Sequence, residues 1–207
     1  MKHALKTAGF AVAILGVPLA PALAHHVMDG RLPGTLVEGL LSGLGHPIIG
    51  VDHLVAVIAV GCLAALHRRG AQLAVGYVLA MIVGAAVHLR GATVPGAELM
   101  VALSLLGLGA ILIWRQPVGA GVVAGLFAIA GLFHGYALGE SIVGVEPTPL
   151  VSYFVGLAAI QALIALVAFK FARLVVAPGA NAPWTLRAAG AVVAAVGAIG
   201  LAGQFAA

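Results

Sequence analysis

Two short stretches carry the side chains that could do chemistry. The first is His46-Pro47-Ile48-Ile49-Gly50-Val51-Asp52-His53 and the second is Phe133-His134-Gly135-Tyr136-Ala137-Leu138-Gly139-Glu140. Both sit at the edges of long uncharged runs, where an ionisable side chain is costly and usually faces a partner or a water-filled path. Imidazole nitrogen with carboxylate oxygen suits borderline divalent metals. Spacing adds a constraint on each stretch. On a straight helix His46 and His53 would stand about 10.5 Å apart along the axis, so one ion could meet both only where the helix breaks. Pro47 fits a first helical position and Gly50 permits a kink. The expectation is therefore a distorted helix start or two successive metal stations. In the second stretch six helical steps turn about 240°, so Glu140 shares a face with His134 only if the chain unwinds at Gly135 or Gly139. Unwound carbonyls would then add oxygen ligands. The plainer alternatives are an Asp52–His53 pair that ties helices together, and a capping His134 beside a solvated Glu140.

Other polar residues point less sharply. His25 and His26 would form a capture point for metal if the chain were cut just before them. His88 and Glu98 stand at one interface, where they could widen the mouth of a path. His67 beside Arg68 reads as solvated, and Ser104 and Gln161 as interhelical hydrogen-bonding groups. Met28, Met81 and Met100 form no cluster, which argues against a copper(I) path. There is no P-loop, no GxSxG elbow and no HExxH helix, so nothing here reads as an enzyme. Cys62 is the single cysteine, which excludes an intramolecular disulfide and a CxxC pair.

The elements that must position these groups follow from composition. The 207 residues are 63% hydrophobic and 8% charged, against roughly 45–50% and 25% for soluble domains. Such a chain belongs in lipid. Residues 1–24 read as a signal peptide: Lys2 and Lys6, an apolar core from Ala8 to Leu19, and a small-residue cleavage site at Ala22-Leu23-Ala24. Cleavage would leave His25 as the new N-terminus. Residues 25–207 then form one all-α membrane domain with six transmembrane helices, near Pro47–Leu66, Ala71–His88, Gly96–Trp114, Val118–Tyr136, Pro149–Phe171 and Thr185–Phe205. A short interfacial helix is expected over Leu36–Leu44. With the N-terminus outside, Arg68, Arg69, Arg115, Lys170, Arg173 and Arg187 fall on the inner side, while Asp29, Glu38, Glu98, Glu140 and Glu146 fall on the outer, in agreement with the positive-inside rule. The formal charge of +4 is explained by that orientation and does not point to nucleic acid. Glycines at Gly121/Gly125, Gly131/Gly135 and Gly135/Gly139 recur at small-xxx-small spacing and place the fourth span centrally in the bundle.

Taken together, the two histidine motifs resemble the HupE/UreJ family of nickel permeases, accessory proteins of hydrogenase and urease. His46, Asp52 and His53 match that family's first-span pattern, and Phe133, His134, Gly135, Ala137, Gly139 and Glu140 match its fourth-span pattern. The chain departs from the pattern in that Glu140 follows Gly139 directly, and in carrying Tyr136 and Leu138 where some members have histidine. The resemblance implies a secondary transporter or diffusion facilitator that moves Ni²⁺, or Co²⁺, across a bacterial inner membrane into the cytoplasm for metalloenzyme maturation. The ion would be substrate, with no tightly bound cofactor. His46, Asp52, His53, His134, Glu140, His25 and His26 would be its ligands, with a link to hydrogenase or urease maturation. A homo-oligomer stays open. The alternative is a membrane metal chaperone or sensor that holds the ion without moving it.

Overall fold

The computed structural model describes residues 31–114, 116–176 and 182–206. The signal peptide, Asp29 and the pair His25 and His26 lie outside the described residues. Within them the chain is helical: α1 (Leu36–Ile49), α2 (Val51–Ala64), α3 (Gly70–Leu89), α4 (Ala97–Ile113), α5 (Ala120–Glu140), α6 (Pro147–Arg173) and α7 (Trp184–Ala206). Four of them, α3, α5, α6 and α7, are long and apolar enough to cross a bilayer. A fifth crossing is reached if α1 and α2 count as one broken span, and α4 is a shorter apolar helix. Large side chains such as Leu79, Val122, Val151, Val155 and Leu163 are exposed around the bundle, as a lipid-facing surface requires. Among the described residues the chain is all-helical, and its apolar helices make it a multi-pass membrane protein.

The first expected span, Pro47–Leu66, does not form one helix. The chain bends by 80° between α1 and α2. Gly50 is the joint, with φ −73° and ψ 101°, extended rather than helical. Pro47 therefore lies in the last turn of α1 instead of opening a span. The expected interfacial helix grows by five residues, from Leu44 to Ile49. Its start is secured by a capping box: the Thr35 hydroxyl accepts from Glu38 N at 3.2 Å, and Glu38 Oε2 accepts from Thr35 N at 3.1 Å.

The centre of the bundle is α2, not α5. Helix α2 touches each of the other six helices, and from Ala56 to Ala65 all but Ile58 are buried. Its sequence explains the position, since alanine, glycine and valine leave little bulk between backbones. A Cβ at Gly61 would overlap the Ala165 carbonyl of α6. Helix α5 instead forms a close pair with α3, the most extensive in the molecule. Added Cβ atoms at Gly84, Gly131 and Gly135 would overlap backbone across this pair, whereas Gly121 and Gly125 face open space. Half of the glycine stripe therefore packs and half does not.

Charge is segregated along the bundle. Glu38, Asp52, Glu98, Glu140 and Glu146 gather at the end that holds the α1–α2 corner. Arg68, Arg69, Lys170, Arg173 and Arg187 occupy the other end. There Arg173 donates to the His67 carbonyl at 2.8 Å, and Arg187 to that of Ile113 at 3.1 Å. His67 is part-buried in this turn, and its loss of hydration holds the imidazole below its ordinary pKa.

Candidate metal centre

The 80° corner brings His46 back over the start of α2. The His46 and His53 rings lie 6.5 Å apart between centroids, well inside the separation that a straight helix would impose. His53 in turn meets His134 of α5, with ring centroids 5.1 Å apart and the two Nδ1 atoms at 2.9 Å. All three rings are buried, His134 completely.

The surrounding hydroxyls decide which ring nitrogens carry protons. The Ser104 O–H of α4 donates to the Val101 carbonyl at 2.7 Å. Its oxygen therefore accepts from His134 Nε2–H, at 2.9 Å. That bond leaves His134 Nδ1 as the unprotonated nitrogen, and it accepts from His53 Nδ1–H. On the other flank, the Ser141 and Tyr153 hydroxyls both donate to the Leu138 carbonyl, at 3.0 and 3.3 Å. His46 Nδ1–H then donates to those oxygens, at 3.1 and 3.3 Å. Ligating histidines are commonly oriented in this way by a bond from the other ring nitrogen.

The spacing of the central pair bears on metal binding. Two imidazole nitrogens bound at a right angle to one ion, each about 2.1 Å away, stand about 3.0 Å apart. The separation of 2.9 Å between His53 and His134 therefore fits two adjacent ligands once the His53 proton has moved from Nδ1 to Nε2. Asp52 approaches from the other side of the His53 ring, with Oδ1 4.0 Å from Nε2. The same oxygen accepts from His53 N at 2.9 Å, so the carboxylate sits in the first turn of α2, where the helix dipole favours negative charge. Its side chain is 40% exposed, the one half-open member of an otherwise buried group. Among the described residues no three His, Cys, Asp or Glu side chains close on a single point as a preformed metal site.

The other expected groups fall differently. Helix α5 runs unbroken through Gly135 and Gly139 to Glu140, so the unwinding expected there does not occur. Glu140 consequently ends exposed, off the face that carries His134. The two glycines serve the contact with α3 instead, where a Cβ at Gly135 would overlap the Met81 carbonyl. Tyr136 packs on His88 at 4.4 Å between centroids, and its hydroxyl holds the α3–α4 loop through Ala92 O and Val94 N. Glu98 pairs with Gln204 at 3.0 Å, outside the cluster. Ser104 bonds across helices as its position in a span led one to expect. Sequence reasoning missed Ser141, whose only signal was its place directly after Glu140, and Tyr153, which lies within the next helix and gave none.

The HupE / UreJ protein family profile matches residues 12–200 of this sequence. The chain belongs to the HupE/UreJ family. One curated relative in this family, Protein HupE of Rhizobium leguminosarum bv. viciae, is 33% identical over 122 residues. That match covers 58% of this chain and 61% of the relative, so the aligned region spans less than two thirds of it. No solved structure matches. The buried histidines His46, His53 and His134 thus belong to a HupE/UreJ protein, and they gather at the acidic end of its bundle.

Proposed function

We propose that this HupE/UreJ protein is a permease for Ni²⁺, carrying the ion across the bacterial inner membrane into the cytoplasm for metalloenzyme maturation. One observation carries the reading: two buried imidazoles from separate helices, His53 and His134, face each other nitrogen to nitrogen at ligand spacing. The Ser104 bond to Nε2 leaves His134 Nδ1 as a lone-pair nitrogen facing His53, the orientation a ligating imidazole needs. In the proposed path the ion arrives at the acidic end, attracted by Asp52 and the neighbouring carboxylates. It loses water to Asp52 and enters between His53 and His134, with His46 flanking, while Glu140 contributes only negative charge at the outer end. Binding moves the proton shared by the two Nδ1 atoms to His53 Nε2, on the Asp52 side, and competes with protonation of the imidazoles, so affinity falls as pH falls. Copper(II) would outbind nickel at such ligands, and selectivity must come from geometry and availability.

In this reading the spans number six: α2 with its corner, then α3 to α7. At 1.5 Å per residue α4 covers about 25 Å, close to the hydrocarbon thickness of about 30 Å. The acidic end faces outward and the arginine-rich end inward. A signal cut after Ala24 would place His25 and His26 at the outer mouth, where they would gather metal. The protein carries out no chemical conversion.

The test is Ni²⁺ flux into proteoliposomes, comparing the wild-type chain with Asp52→Ala and His53→Ala. Both variants should lose most of the flux. Unchanged flux in both, at equal reconstitution, would sink the proposal. Stoichiometric binding without flux in the wild type would favour a chaperone or sensor. Competition by Co²⁺ and Zn²⁺ ranks the ions.

A further inference from the structure

We infer that Gln161 is a second, deeper oxygen station on the inward route of the cation, an inference that rests on the transport reading above. Gln161 lies on the buried stripe of α6 formed by Tyr153, Leu157, Ala165, Ala168 and Ala172, and it is itself fully buried. The stripe begins at the histidine cluster, because the Tyr153 hydroxyl reaches His46. Eight residues further along the helix, Gln161 stands about 12 Å beyond Tyr153 along the α6 axis.

The register against α2 places it on the line inward from His53. Ala165 packs on Gly61, and α2 and α6 run in the same direction from the acidic end. One turn back toward that end, Gln161 is level with Val57, itself one turn beyond His53. On the other side of the cluster Tyr77 of α3 is also fully buried, its ring centroid 6.4 Å from that of His134. Among the described residues, neither amide atom of Gln161 has a hydrogen-bonding partner, and nor does the Tyr77 hydroxyl.

An interhelical tie needs a partner on another helix, and Gln161 lacks one. Leucine or methionine would fill the same space without stranding an amide in an apolar interior. The position makes sense if the polar partner is the cargo. The amide Oε1 is a neutral oxygen donor, a weaker ligand for a borderline cation than imidazole. Strong capture at the histidines followed by weaker ligation below them is what a conduction path needs for release.

The experiment compares Gln161→Leu and Gln161→Glu with the wild-type full chain. It measures Ni²⁺ flux in proteoliposomes, equilibrium Ni²⁺ binding in detergent, and thermal stability. Gln161→Leu should bind Ni²⁺ as the wild type does and melt no lower. Its flux should fall about tenfold, equivalent to about 1.4 kcal/mol on the transport barrier. Gln161→Glu should lower both KM and maximal flux, since a charged ligand holds the ion longer. Wild-type flux in the leucine variant overturns the inference. A drop in melting temperature with parallel loss of binding in both variants also overturns it, because that is the signature of a helix tie. Should the leucine variant fail to fold, Gln161→Glu decides, and an unchanged KM counts against the station. Failure of the transport reading looks different: the wild-type chain itself gives no flux.

Discussion

Gly50 and Gly135 both neighbour a histidine of the buried cluster, and the chain uses them in opposite ways. At Gly50 the backbone leaves the helix and turns through 80°. At Gly135 the helix continues without interruption, and the missing side chain lets α3 lie directly against α5. The difference lies in what each glycine faces. A Cβ at Gly50 would meet the side chains of its own local turn, His53 Cδ2 at 2.8 Å and Asp52 Oδ1 at 3.3 Å. A Cβ at Gly135 would run into the backbone of another helix at Met81. One glycine shapes the chain and the other shapes the packing. A histidine beside a glycine therefore does not by itself announce a broken helix.

Three substitutions sharpen this contrast. Gly135→Ala should have the largest effect on stability. Its methyl group overlaps a main-chain carbonyl that cannot rotate away, so α3 and α5 must separate, at a cost of about 1–3 kcal/mol or more. A clear fall in the detergent melting temperature would report it; an unchanged value would mean that the α3–α5 pair is looser than described. Gly50→Ala should cost less, under about 1 kcal/mol, because the contacts are side-chain atoms able to shift and the φ of −73° is open to alanine. Its signature should be weaker Ni²⁺ binding, by about two- to tenfold, as the His53 ring and the Asp52 carboxylate are displaced. Binding as in the wild type would show that the corner does not set ring position. Gly125→Ala, on the same helix as Gly135 but facing open space, should change stability by no more than about 0.5 kcal/mol. A large loss there would mean that this half of the stripe is covered by something outside the chain, such as a second copy.

Much of the architecture was legible from residue types. Long uncharged runs produced α3, α5, α6 and α7 close to their expected limits, because a bilayer tolerates little else than a helix of that length. The Asp52–His53 and His134 positions stood out for the cost of placing ionisable groups among apolar ones. The hydroxyls that orient the rings were less visible. Ser141 and Tyr153 are ordinary residues in sequence, and their roles depend on the α5–α6 loop folding back to His46.

What composition and spacing determined alone was membrane residence, helical class and the identity of the polar residues, since each follows from local chemistry and chain length. Only the tertiary structure decided that α2 is the central helix, that the break falls at Gly50 and not at Gly135, and that Glu140 stays outside while His53 and His134 meet. Those outcomes depend on which backbone lies opposite each small residue, and one-dimensional periodicity does not encode the partner.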